Sequence, residues 1–148
     1  MEAIIFCGIQ ATGKSTFYRE RFATTHDRVN LDTLKSRHRE QALIEACLAH
    51  GRPFVVDNTN VTRGDRERYI RQARQFQFRV LGFYFESRVE QAILRNAQRD
   101  PAEQISERGI RGTAARLEIP SLSEGFDELR YVRLTPRGFE VQEWRGEV

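Results

Sequence analysis

Gly8-Ile9-Gln10-Ala11-Thr12-Gly13-Lys14-Ser15 is the stretch that decides the fold. It satisfies GxxxxGK[ST] at every fixed position. Before it, Ala3 to Cys7 is a short apolar run that reads as a buried strand. After it, Thr16 to about Thr24 reads as a helix. A glycine-bearing loop between a strand and a helix is the setting in which this pattern cradles phosphate. Glycines permit unusual backbone angles, so successive amide N–H groups can turn inward as an anion nest. The following helix adds its positive end. Lys14 would reach the β- and γ-phosphates, and Ser15 would ligate Mg²⁺. Gly8, Gln10, Ala11, Thr12, Gly13, Lys14, Ser15 and Thr16 are therefore expected to hold ATP or another nucleoside triphosphate.

Outward from this loop, apolar runs alternate with helical patterns. Arg28 to Leu31 reads as a short extended piece and Thr33 to His50 as one helix, ended by Gly51. Pro53 to Val56, Phe78 to Phe85 and Leu129 to Leu134 read as further strands. Helices are expected over about Arg63 to Gln75, Val89 to Arg99, and Glu103 to Leu117, the last interrupted near Gly109 and Gly112. Pro136-Arg137-Gly138 is a turn before an edge strand, Phe139 to Trp144. The alternation predicts an α/β, three-layer P-loop NTPase/kinase fold with a mainly parallel sheet. Ligands in such folds sit at the carboxyl ends of the strands. Gly8–Ser15, Asp32 and Asp57–Asn60 each follow a strand, so they should converge on one rim.

Composition narrows the class. The chain has 148 residues, 39% hydrophobic and 30% charged, which suits one globular domain over 1–148. No apolar stretch approaches the roughly 20 residues that span a bilayer. The start, Met1-Glu2-Ala3-Ile4-Ile5-Phe6, lacks the basic residues of a signal peptide. Two cysteines, Cys7 and Cys47, make no disulfide framework and no zinc pattern. A cytoplasmic setting is the expectation. Net charge is +3, and Lys14 and Lys35 are the only lysines. The arginine-rich balance permits an anionic substrate. His26, His38 and His50 are scattered and read as surface; Cys7 reads as a buried structural thiol and Trp144 as edge packing.

A phosphate loop leaves the reaction open. A GTPase would need NKxD, which is absent, and a motor would usually need more chain, so a phosphotransferase is favoured. A kinase must orient or deprotonate an acceptor hydroxyl. Asp32 opens a helix and is either a cap or a general base within reach of the acceptor oxygen. Asp57 ends a strand, where a carboxylate would hold Mg²⁺ through water. Asn58, Thr59 and Asn60 either cap the next helix or grip phosphates.

Two groups of arginines stand out. On the helix from Arg63 the apolar arc is Tyr69, Ile70, Ala73 and Phe76. Arg66 falls inside it, so it should face the cleft or pair with an acid. Arg68 falls outside. Arg95 and Arg99 are one helical turn apart. The segment from about 95 to 118 is polar and arginine-rich, as a lid closing over a triphosphate would be. Such arginines neutralise charge that grows on the transferring phosphoryl. For Arg99, and more so for Arg108 and Arg111, the alternative is a solvated helical face with Glu90, Glu103 and Glu107 as partners.

Together these features resemble the P-loop polynucleotide 5′-hydroxyl kinases, the kinase module of end-healing repair enzymes. Four stretches carry the resemblance: Gly8 to Thr16; Val29-Asn30-Leu31-Asp32; Val55-Val56-Asp57-Asn58-Thr59-Asn60 followed by Arg66-Glu67-Arg68-Tyr69; and Arg95-Asn96 with Arg99, leading to Pro120 and Glu124-Gly125-Phe126-Asp127. The resemblance implies that Lys14 and Ser15 bind ATP phosphates and Mg²⁺. It implies that Asp32 takes the proton of a 5′-OH and that Asp57 to Asn60 lie at the phosphate–acceptor junction. Arg95 and Arg99 would be lid arginines on the ATP phosphates. The family commonly has an arginine three residues after the general base, gripping an acceptor phosphate; here that position is Lys35, a point charge rather than a fork.

The expected activity is transfer of the γ-phosphoryl of ATP to a 5′-OH end of DNA or RNA. Lys35, Asp57, Asn58, Thr59, Asn60 and Arg66 would be on the acceptor side. Any phosphatase or ligase of the same pathway is expected to be separate. The alternatives are a kinase of a small-molecule or tRNA-linked hydroxyl, and a nucleotide-binding regulatory module without phosphotransfer.

Overall fold

The computed structural model describes residues 1–146; residues 147–148 of the expected domain lie outside the described residues. The strands are β1 (Glu2–Cys7), β2 (Asp27–Val29), β3 (Phe54–Val56), β4 (Arg79–Phe85), β5 (Glu128–Thr135) and β6 (Gly138–Glu143). The helices are α1 (Lys14–Arg21), α2 (Leu31–Leu34), α3 (Arg37–His50), α4 (Arg63–Gln75), α5 (Val89–Ala97) and α6 (Glu107–Arg116), with short 3₁₀ turns at Pro101–Glu103 and Leu122–Glu124.

All six strands form one sheet in the order β2-β3-β1-β4-β5-β6. Every pairing is parallel except β5 with β6. β1 and its neighbours are buried on both faces, hence the unbroken apolar run Ala3–Cys7. Ile4, Phe6 and Val55 pack with Phe17 and Tyr18 of α1 on one face. Ala3, Ile5 and Val56 pack with Ile44 of α3 and with Tyr69, Ile70 and Ala73 of α4 on the other. A third cluster joins Ile9, Ala11 and Val61 to Ala92 of α5 and Ile110 of α6, anchoring the 95–118 segment beside the phosphate loop. From β1 the chain travels to β2 and β3 on one side before crossing to β4 on the other. The carboxyl ends of β1 and β3 therefore flank a switch point, where α/β sheets bind ligands.

Three local expectations are corrected. Thr33 to His50 is two helices. Lys35 takes φ 74°, which stops α2, and the Ser36 side chain accepts from Arg39 N to start α3 anew. α6 runs uninterrupted through Gly109 and Gly112 because Ile110 and Thr113 bury its inner face. Phe76, placed on the apolar arc of α4, is instead its half-exposed C-terminal cap. Among the described residues no helix is long and apolar enough to cross a membrane.

Candidate active site

The phosphate loop is shaped by both fixed glycines. Gly13 has φ 95° as the cap of α1, a left-handed conformation that L side chains rarely adopt. A Cβ on Gly8 would lie 2.9 Å from Phe85 Cβ, so the loop hugs the end of β4 only without a side chain there. The loop is held from both sides: Gly8 N donates to Thr59 O at 2.9 Å, and Ile9 N to Ser87 Oγ at 3.1 Å. Buried Thr12 donates from Oγ1 to Ile9 O. Gln10 donates to Thr113 Oγ1 at 2.9 Å, tying α6 to the loop.

Lys14 folds back into the loop. Its Nζ donates to Gly8 O at 2.9 Å and Ile9 O at 2.7 Å. Burial pushes the ammonium down to about 8; Asp57 opposes the shift and Arg99 adds to it. Arg99 is thus close enough to be felt at the loop, and it lines the same cleft. Its guanidinium has no hydrogen bond or ion pair among the described residues.

The turn after β3 binds the site together. Asp57 Oδ2 accepts from Ser15 Oγ at 3.2 Å and from Arg28 Nε at 2.9 Å, while Arg28 Nη2 donates to Ser15 Oγ at 2.8 Å. Asn58 accepts from Leu31 N and donates to Glu40; Asn60 donates to Phe6 O at 2.8 Å. Both amides are therefore occupied within the fold. The turn does not cap α4; Thr62 does, in a capping box with Asp65.

Asp32 lines the same cleft as the phosphate loop. It is not a cap: Asn30 caps α2, accepting from Thr33 N at 3.0 Å. The Asp32 carboxylate is exposed, lines the cleft, and has no hydrogen bond or ion pair among the described residues. The cleft measures about 1020 Å³, at the upper end of small-ligand sites.

Gln10, Ala11, Gly13, Lys14, Ser15, Thr16, Asp32, Asp57, Asn58, Thr59, Asn60 and Arg99 all line this cleft. Gly8 contributes its carbonyl to Lys14 behind the lining. Thr12 is likewise buried behind the lining. Three further expected site residues stand apart. Arg66 is fully buried and bidentate to Glu124 at 2.8 and 3.0 Å, with a further bond to Asn60 O. It pairs with an acid, the other outcome open to it, and does not reach the acceptor space. Lys35 is exposed and outside the lining, because its left-handed backbone ends α2. Arg95 is half-buried in the last turn of α5 and also outside the lining; the helix stops at Ala97 rather than Arg99, so the two arginines do not share a helical face as expected. Arg111 bonds Glu107 and Glu90 on the surface. Cys7 is a buried thiol, pushed up to about 11 by burial.

Sequence reasoning missed Arg28, Arg37 and Glu40. Arg28 and Val55 are register partners, so Arg28 shares the α1 face of the sheet, a parity signal in β2. Glu40 is fully buried and bonds Tyr69 Oη, Arg37, Arg68 and Asn58. It stands at i, i+4, i+7 with Ile44 and Cys47, so its helical spacing placed it on the buried face. Arg68, placed outside the apolar arc, reaches this same acid.

The donor set fits a nucleotide with its metal. A serine hydroxyl and a carboxylate meet at one point, the hard oxygen pair that Mg²⁺ prefers. Lys14, Arg99 and the N-terminus of α1 supply positive charge beside it. Fold and loop together define a P-loop nucleotide-binding protein of the kinase-like type. The AAA domain family matches residues 4–120, and the chain belongs to that family. It is 30% identical over 136 residues to a bifunctional polynucleotide phosphatase/kinase of Schizosaccharomyces pombe, covering 88% of this chain and 33% of that protein. The chain thus spans about a third of this relative. In fold it is similar to Kti12 of Chaetomium thermophilum in complex with ADP-AlF3 (TM-score 0.63, 18% identity, 88% of each chain). It is likewise similar to a gluconokinase of Sinorhizobium meliloti 1021 (TM-score 0.59, 15% identity, 88% of this chain and 82% of that one).

Proposed function

We propose that this protein is a polynucleotide 5′-hydroxyl kinase, moving the γ-phosphoryl of ATP to a 5′-OH end of DNA or RNA. The observation that carries the reading is the unbonded Asp32 carboxylate in the cleft that the phosphate loop also lines. A nucleotide-binding module without transfer has no use for it. The 30% identity to a polynucleotide phosphatase/kinase supports the choice of acceptor.

In this reading the loop amides and Lys14 hold the β- and γ-phosphates, and Ser15 and Asp57 hold Mg²⁺, Asp57 through water. Bound there, Mg²⁺ would neutralise charge on the phosphate oxygens. Asp32 orients the 5′-hydroxyl for in-line attack and accepts its proton. Arg99, just beyond the end of α5, covers the transferring group, and Arg95 stands behind it in the last turn of that helix. Removal of Arg99 is expected to slow transfer roughly 10³-fold, in the range of arginine fingers. The acceptor-side partners are nucleic-acid 5′-OH ends, with Asp57 to Asn60 shaping the junction. The 95–118 segment acts as the lid.

A second reading, a kinase of a small hydroxyl compound, is favoured by one observation: Lys35 lies outside the cleft lining, so no cation three residues after Asp32 meets an acceptor phosphate. Transfer of γ-³²P from ATP to 5′-OH oligonucleotides, with Lys14→Ala as blank, tests the first reading. Labelled oligonucleotide absent from the blank is the expected result. ATP binding without labelled DNA or RNA would overturn the first reading and favour the second over it.

A further inference from the structure

The Ser15–Asp57 pair is spanned by an arginine that belongs to neither the phosphate loop nor the acceptor wall. Arg28 Nη2 is 2.8 Å from Ser15 Oγ and 2.9 Å from Asp57 Oδ2, and its Nε is 2.9 Å from the same carboxylate oxygen. Those are the two oxygens proposed to hold the metal. The Asp57 side chain is only 2% exposed, so its charge needs a partner whatever ligand is present. Arg28 is 28% exposed and reaches the pair from β2, with the Tyr18 ring 5.8 Å from its guanidinium carbon. One side of it is open to the cleft, which gives it room to withdraw.

We propose that Arg28 is a resident substitute for the divalent cation: its guanidinium neutralises Asp57 and bonds Ser15 in the metal-free protein, and leaves both when the metal arrives. The physics is direct competition. The guanidinium and Mg²⁺ seek Ser15 Oγ directly, and a water carried by the metal seeks Asp57 Oδ2; the guanidinium that bonds both oxygens cannot keep its place beside a cation that packs oxygen ligands at about 2.0–2.1 Å. By reciprocity, whatever Arg28 contributes to the metal-free state must be subtracted from metal affinity. The inference rests on the nucleotide–metal reading of this site and is independent of the acceptor.

The test is Mn²⁺ binding in the presence of ADP, followed by electron paramagnetic resonance, on the whole chain and on Arg28→Met. Arg28→Met keeps the aliphatic length and removes the charge. Mn²⁺ is expected to bind the variant about tenfold more tightly, as when a competitor is deleted. In EDTA the variant should melt below wild type, and Mn²⁺ with ADP should close the gap. Equal or weaker Mn²⁺ binding by the variant overturns the proposal. No Mn²⁺ binding by either protein overturns the nucleotide–metal reading together with it.

Should Arg28→Met not fold, wild type itself supplies the answer. Its Arg28 Nε–H resonance, assigned by its loss in Arg28→Lys, should move when Mg²⁺ is added to the ADP-bound protein. An unmoved resonance at saturating Mg²⁺ overturns the proposal.

Discussion

On the donor wall of the cleft Lys14 is 9% exposed and donates to two loop carbonyls, and Ser15 and Asp57 are already joined. On the wall proposed for the acceptor, Asp32 is exposed on a four-residue helix and bonds nothing among the described residues. One wall is bound into the core; the other hangs on a single turn closed by Asn30 and broken at Lys35. A nucleotide is the same for every turnover, so its groups can be fixed in advance. In the proposed kinase, the group that receives the acceptor must stay unbonded to keep its lone pairs for an incoming hydroxyl.

Lys14→Ala strikes the bound wall and should have the largest effect. Transfer is expected to fall by about 10³-fold, because the cation that the loop holds for the reacting phosphates is lost. Transfer at wild-type rate would remove the loop from the chemistry altogether. Asp32→Ala strikes the open wall. Turnover should fall about 10²–10⁴-fold, the range for a general base, while ADP affinity stays within about twofold, since Asp32 has no bond to the donor side. A matching loss of ADP affinity would erase the distinction between the walls.

The buried pair Arg66–Glu124 sharpens the comparison from outside the cleft. Arg66 is fully buried and the Glu124 side chain is 4% exposed. Unlike Arg28–Asp57 it has no open side, so it fixes the turn after β3 by way of Asn60 O. Truncating one member strands the other, which costs about 3–5 kcal/mol in buried pairs. Arg66→Ala should lower the urea midpoint accordingly. A loss below about 1 kcal/mol, the value of a surface pair, would mean that the site is not sealed.

The donor wall was legible in the sequence and the acceptor wall only in part. The loop motif and the apolar run before it need just one reading, because phosphate binding and parallel-sheet burial each demand a local pattern. Asp32 and Asp57 were found by position after a strand. What failed depended on partners distant in sequence. Arg66 lay on the right face of α4, but Glu124, 58 residues away, decides whether that face meets a ligand or an acid. Lys35 turned on one backbone angle. Arg28 was one arginine among many until Val55 beside it in the sheet fixed its direction. Gly109 and Gly112 suggested a break, yet tertiary burial of Ile110 overrides propensity.

The smallest expected effect is a pH dependence confined to the donor wall. Lys14 sits at about 8 in the folded protein against an ordinary 10.5, with burial as the main cause. The folded chain therefore releases this proton at lower pH than the unfolded chain does. Between about pH 8 and 10.5 the unfolded state binds more protons, so this group's contribution makes stability rise with pH across that window. Nucleotide binding runs the other way. Bound phosphates need the ammonium, so above pH 8 the free protein must take up a proton to bind. ADP affinity should then weaken by up to about tenfold per pH unit. Lys14→Arg, whose guanidinium stays charged throughout, should show no such slope, whatever its affinity at pH 7. The pair of titrations by calorimetry separates Lys14 from every other group that titrates in the range. A flat wild-type profile from pH 7 to 10 would mean that the ammonium keeps its proton when buried. The two carbonyls and Asp57 would then outweigh desolvation, and the donor wall would carry its positive charge at every working pH.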